Sequence, residues 1–283
     1  MNGPGSTTPT NRAVVEPPNL ERTLERDTRL FYRNALQALR RSGVPFLLGG
    51  AFAFGHYTGI VRDTKDLDVF LKESDFERAV RALEPAGYRT EITHPHWLGK
   101  VMQGDDFIDL IFSGGNGIAR VDDLWFEHAT PAQILDVPVQ ITAPEEMIWS
   151  KAFIMERERF DGADVAHLIR ACHARIEWGR LLERFADDWR VLLTHLVLFG
   201  YVYPGEREKI PMKTLAELLD RVKNEEPSKE DGKLCRGTLL SRAQYLEDVL
   251  RWGYRDARLE PEGAMTAEEV AEWTAAIDPS SRT

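Results

Sequence analysis

Two aspartates one residue apart, Asp66 and Asp68, sit in the run Asp66-Leu67-Asp68-Val69-Phe70-Leu71. In an extended chain residues two apart share a face, so both carboxylates point one way while Leu67, Val69 and Leu71 point into a core. The carboxylates then lie about 7 Å apart along the strand and repel unless a cation lies between them. Oxygen donors of this kind suit Mg²⁺ or Mn²⁺, and Mg²⁺ commonly takes one or two carboxylates together with phosphate oxygens. The plainer alternative is a pair of aspartates that solvate a strand end. A third carboxylate, Asp109, interrupts Phe107-Ile108-Asp109-Leu110-Ile111-Phe112. Buried and unpaired it would be costly, so it calls for a cation, a metal or a proton.

Upstream, the apolar Phe46-Leu47-Leu48 breaks into Gly49-Gly50 ahead of a short helical stretch. Glycines let backbone N–H groups approach an anion, and a helix start favours phosphate. A tight turn without a ligand is the alternative. Lys151 lies inside the apolar stripe Met147, Ile148, Ala152 and Met155, so it either snorkels to water or is aimed at an anion. Asp161 and Asp164 suit such a site and equally match the N-cap and third position of a following helix.

These residues need a scaffold of strands and helices. Apolar spacing predicts a helix over 21–42 with its arginines on the opposite face, closed by Gly43, and a strand over 46–48 after Pro45. A short helix over 51–57, a strand over 67–71 and a helix over 75–86 closed by Gly87 follow. Strands are predicted over 88–93, 97–103, 107–112 and 137–141, with turns at His94-Pro95 and Gly104-Asp105. From Thr142 the period becomes helical, and Thr142-Ala143-Pro144-Glu145 has capping-box spacing. Helices are expected at about 144–158, 162–173, 177–186, 188–202, 211–223, 237–251 and 266–276. The expected organisation is a disordered leader over 1–19, an α/β (α+β) domain over 20–142 with a mixed sheet flanked by helices, and a helical C-terminal domain over 143–283.

Taken together, Gly49-Gly50-Ala51, His56, Arg62, Thr64 and Asp66-Leu67-Asp68 resemble the nucleotidyltransferase superfamily that includes DNA polymerase beta. The spacing is most similar to the aminoglycoside-type and abortive-infection toxin-type branches. The resemblance implies that Gly49 and Gly50 bind nucleotide phosphates and that Asp66 and Asp68 hold two divalent cations. Asp109 takes by resemblance the part of the later carboxylate, as metal ligand and base. Met147-Ile-Trp-Ser-Lys151 and Arg157-Glu-Arg-Phe-Asp161-Gly-Ala-Asp164 resemble two further motifs of the toxin-type branch; with Thr64 of the first pattern, Lys151 and Asp161 join the implied nucleotide contacts. Phe160 stands where that branch usually has an arginine, which leaves the arginine's part to Arg157 or Arg159. The resemblance spans roughly residues 45–170.

The implied activity is transfer of a nucleoside monophosphate from an NTP to an acceptor hydroxyl on a small molecule, a tRNA or a protein, with Mg²⁺ or Mn²⁺ as cofactor. Two alternatives stand beside it: the toxin half of a toxin–antitoxin pair, with an antitoxin protein as partner, and an inactive binding module of the same fold. The chain has 283 residues, 43% hydrophobic and 29% charged, an ordinary globular balance. Its formal charge is -10, so a nucleic-acid partner would need a local basic patch, and a small or cationic acceptor fits the balance better. Two cysteines, Cys172 and Cys235, cannot build a disulfide framework or a cysteine-rich zinc site. His94 and His96 lack further ligands in sequence. No stretch reads as a signal peptide or a membrane span, and a cytoplasmic setting is expected.

Overall fold

The computed structural model describes residues 20–62, 64–226 and 232–275. The expected leader over 1–19 lies outside the described residues. A 3₁₀ turn over Leu20–Arg22 precedes α1 (Arg26–Ser42), which buries Phe31, Tyr32, Ala35, Leu36 and Leu39 and ends at Gly43 in the left-handed conformation. Next come β1 (Leu47–Leu48), α2 (Gly50–Thr58), β2 (Asp66–Phe70) and α3 (Phe76–Leu83), which runs into a 3₁₀ turn over Glu84–Ala86. β3 (Arg89–His94), β4 (Leu98–Gln103) and β5 (Asp106–Ile111) form a meander. α4 (Asp123–Glu127) then leads into the hairpin of β6 (Thr130–Ile134) and β7 (Val137–Ile141).

Seven strands form one mixed sheet in the order β3-β4-β5-β2-β1-β7-β6. β2 runs parallel to β5 and antiparallel to β1, which in turn is parallel to β7. Leu67 and Val69 on β2, with Ile108 and Leu110 on β5, are fully buried against the helices on the inner face. The opposite side chains of β2 therefore emerge on the other face, where the carboxylates stand.

After residue 143 the chain is mainly helical: α5 (Pro144–Ala152), α6 (Gly162–Cys172), α7 (Trp178–Phe185), α8 (Trp189–Val202) and α9 (Met212–Asn224). The last described segment holds β8 (Leu234–Cys235), α10 (Leu246–Leu250), β9 (Arg255–Asp256) and α11 (Ala267–Ala275). No helix among the described residues is long and apolar enough to cross a membrane.

Three expectations are corrected. The helix expected over 144–158 stops at Ala152, because Met155 instead donates its N–H to the Leu240 carbonyl and bridges to Phe160. The helix expected over 237–251 is a 3₁₀ turn over Arg236–Leu239, an irregular stretch and the short α10. Ser241 interrupts it by turning its hydroxyl to Glu156 while accepting the N–H of Gln244. α4 and β6 were not expected at all. β6 carries Pro131, a residue that argues against a strand, yet β6 is the outermost strand, where a missing N–H is tolerated.

Candidate active site

β2 and β5 pair in parallel with Asp68 directly opposite Asp109. This register, together with the alternation along β2, brings Asp66, Asp68 and Asp109 together: an oxygen from each lies within 4.8 Å of the others. Burial, compounded by the charges of Asp66 and Asp109, pushes the Asp68 carboxyl up to about 7, against a partial offset from Lys151 and Arg159. Asp109 is likewise raised by burial, an effect tempered by its ion pair with Lys100. Thr64 donates its hydroxyl to Asp66 Oδ1 at 2.6 Å and so aims that carboxylate.

Gly49 and Gly50 sit where β1 turns into α2. The Gly49 N–H is bonded to the Asp68 carbonyl, and a Cβ on Gly49 would enter the Phe70 ring. Gly50 adopts φ +50°, and a Cβ there would lie 1.6 Å from Asp68 Oδ2. Only glycine leaves the Asp68 carboxylate beside the N-terminus of α2. That terminus has no side-chain cap, and the first N–H groups of a helix are the ones left for an anion to bond.

A second charged cluster faces the first. Lys151, in the last turn of α5, donates to Asp161 at 2.9 Å and pairs with Asp164 at 2.8 Å. Arg159 grips Asp161 with two bonds of 2.9 Å, and Arg62 pairs with Asp164. Lys151 is thus no solvated lysine: it is held by two carboxylates at the start of α6. The Phe160 ring lies against Gly162 and stacks on His195.

Both clusters open into one cavity of about 670 Å³, within the roughly 300–1,000 Å³ usual for small-molecule sites. Its remaining wall comes from the end of the chain. The Leu239 carbonyl accepts from Asn116, Glu156 accepts from Ser241 and Arg242, and Arg242 lies over the Trp273 ring at 4.5 Å. Gly115 lets the Trp273 ring rest on its backbone; a Cβ there would lie 2.5 Å from it. His94 stacks on Trp97 and pairs with Glu272, and His96 bonds the Gly115 carbonyl. His56 lies edge-on to Tyr57. Trp125 is core, stacked on Phe70.

The structure therefore gathers Asp66, Asp68, Asp109, Gly50, Lys151 and Asp161 around one space, with Thr64 at its rim. Gly49 lies just beneath. The sequence reading missed Lys100, whose Nζ is 2.8 Å from Asp109 Oδ1. A signal existed. A two-residue turn at Gly104-Asp105 pairs Gln103 with Asp106 and, counting outward, Lys100 with Asp109. Glu156, Arg242 and Trp273 carry no comparable signal, since they meet only through long-range contacts.

The model of one protein family, described as uncharacterised nucleotidyltransferase, matches residues 22–198. No curated protein matches the chain. Among solved structures, the solution structure of the antibiotic-resistance factor ANT(2'')-Ia is similar at 16% identity, covering 63% of this chain and 99% of that chain with a TM-score of 0.41. The lincomycin-bound lincosamide antibiotic adenylyltransferase LnuA is similar at 15% identity over 50% of this chain and 95% of that one, TM-score 0.37. An antigenic nucleotidyltransferase-like protein from Paracoccidioides brasiliensis is similar at 14% identity over 61% and 93%, TM-score 0.36.

Proposed function

Because the chain belongs to this family of uncharacterised nucleotidyltransferases, we propose that it transfers a nucleoside monophosphate from an NTP to the hydroxyl of an acceptor and releases pyrophosphate. The observation that carries the reading is the in-register Asp68–Asp109 pair, joined by Asp66 and bordered by the bare N-terminus of α2. The three aspartates fit divalent cations. Their donors are all oxygen, they crowd within 4.8 Å, and burial, together with the charges of Asp66 and Asp109, raises the Asp68 carboxyl. When bound, Mg²⁺ or Mn²⁺ supplies charge neutralisation of the α-phosphate and of the acceptor and leaving oxygens.

The chain's own residues do the rest. N–H groups at the start of α2, left open by Gly49 and Gly50, bind phosphate oxygens. Lys151, held by Asp161 and Asp164, and Arg159, held by Asp161, direct their remaining N–H donors toward the β- and γ-phosphates. Thr64 keeps Asp66 oriented. The acceptor oxygen attacks the α-phosphorus, the bond to the pyrophosphate oxygen breaks, and the acceptor's proton passes to Asp109, the carboxylate opposite Asp68. In this reading residues 20–142 are the catalytic unit, and residues 143–283 a helical unit that supplies Lys151 and Asp161. The acceptor is a small molecule, a tRNA or a protein.

The test is thermal unfolding with each NTP, with and without Mg²⁺, for the wild type and for Asp66→Asn/Asp68→Asn. A Mg²⁺-dependent shift of several degrees that the double variant loses supports the reading. No shift with any nucleotide counts against it. Incubation of α-labelled NTP with cell extract then sorts acceptors by product size.

A further inference from the structure

Asp109 already has a cation. β4 and β5 pair antiparallel with Lys100 opposite Asp109, and β2 pairs with β5 with Asp68 opposite Asp109. Lys100, Asp109 and Asp68 therefore form one row across three strands on the face that carries the carboxylates. Lys100 Nζ donates to Asp109 Oδ1 at 2.8 Å and lies 3.8 Å from the centre of the Phe107 ring, two contacts that fix a half-buried ammonium. Asp109 Oδ1 is committed to the lysine while the carboxylate also lies within reach of Asp66 and Asp68.

We propose that Lys100 is a positioning residue that occupies Asp109 as a resident cation, so that a divalent cation binds the three aspartates weakly by itself and tightly only with a nucleotide's phosphates. This rests on the metal-dependent transfer proposed above. The physical basis is charge balance. Three carboxylates facing one lysine retain a net charge of -2, against -3 without it, so a bare divalent cation finds a weaker attraction and a nearby repelling ammonium. A triphosphate arriving with the cation restores the negative charge that Lys100 removed. Lys100 thereby couples cation and nucleotide. A purely structural lysine would stabilise the sheet and leave that coupling untouched.

Mn²⁺ binding, followed by the paramagnetic resonance signal of the free ion, tests this for the wild type, Lys100→Met, Lys100→Arg and Asp68→Asn. Each is measured with and without a non-hydrolysable ATP analogue. Lys100→Met is expected to bind Mn²⁺ alone roughly tenfold tighter than wild type, the effect of removing a unit charge about 6 Å from a divalent ion at water-like screening. The further tightening produced by the analogue should shrink by a similar factor, and Lys100→Arg should behave as wild type. Should Lys100→Met not fold, Lys100→Gln carries the same expectation. Unchanged or weaker Mn²⁺ affinity in the charge-removing variant overturns the proposal and leaves the site reading intact. Mn²⁺ binding that is the same in wild type and Asp68→Asn, with and without the analogue, overturns the site reading itself and the proposal with it.

Discussion

At Asp68 the cost of the site is concentrated in one group. The folded protein holds its carboxyl proton up to about pH 7, while the unfolded chain releases it near 3.8. A raised carboxyl contributes stability that is present below about pH 4 and lost as pH rises to about 7, because the unfolded state then binds fewer protons than the folded one. Asp68→Asn removes this loss. The variant should match or fall below wild type near pH 4 and exceed it by on the order of 2 kcal/mol at pH 8 without divalent cation. Urea unfolding across that range reads the gap, and millimolar Mg²⁺ should narrow it by stabilising wild type alone. Gly50 makes the complementary prediction. Gly50→Ala forces a side chain into a left-handed position and against the Asp68 carboxylate. It should cost about 1–3 kcal/mol and abolish the Mg²⁺-dependent nucleotide shift, as thermal unfolding would show. Asp66, Asp68 and Gly50 were legible in sequence because strand alternation and a glycine pair at a strand end are local signals. Lys100 required counting a register through a turn.

Among the elements, α5 has the most demanding placement, since it carries Lys151 to the site. Its first turn holds Glu145 and Glu146, both buried. Arg180 of α7 pairs with both, and Arg184 bridges Glu146 to Asp122 at the start of α4. Desolvation raises the Glu146 carboxyl in spite of those two arginines. Arg180→Ala would leave buried Glu145 without its paired arginine and Glu146 with Arg184 alone, and should destabilise the protein by about 3 kcal/mol, a Tm drop on the order of 10 °C. Calorimetry checks this. A drop of less than about 1 kcal/mol would mean that water enters and solvates the pair. The sequence shows the capping pattern of α5 and the apolar stripe around Lys151. It does not show that α5 stops at Ala152, because the competing partner for the backbone of Met155 is Leu240, far along the chain. β6 was illegible for a similar reason: Pro131 is acceptable only because its strand has no further neighbour.

At the scale of the whole molecule, the last described segment helps line the cavity. Segment 232–275 contributes Leu239, Ser241, Arg242 and Trp273 to the lining of the cavity that the carboxylates also line. α11 has no buried residue in its span and is anchored mainly through Trp273 and the Glu272–His94 pair. Trp273→Ala should therefore free this segment to protease at sites within 232–275 while leaving the Mg²⁺-dependent nucleotide shift unchanged, since the proposed function assigns the phosphates to α2 and α5. Limited proteolysis with mass spectrometry, run beside thermal unfolding, separates the two effects. Loss of the nucleotide shift in Trp273→Ala would instead place the wall in direct contact with the nucleotide.

From sequence alone came the sheet-forming runs, the helix faces, and the three aspartates with the glycine pair and the lysine. Each is encoded in periodicity or in the type of a few neighbouring residues, so a short window of chain determines it. Tertiary structure alone decided which carboxylates meet, since the distance between Asp68 and Asp109 depends on the pairing of β2 with β5 across some forty residues. It also decided that Lys151 is held by Asp161 and Asp164, and that the final segment walls the cavity. Those contacts join distant segments, and their energies depend on burial and charge that no local pattern contains.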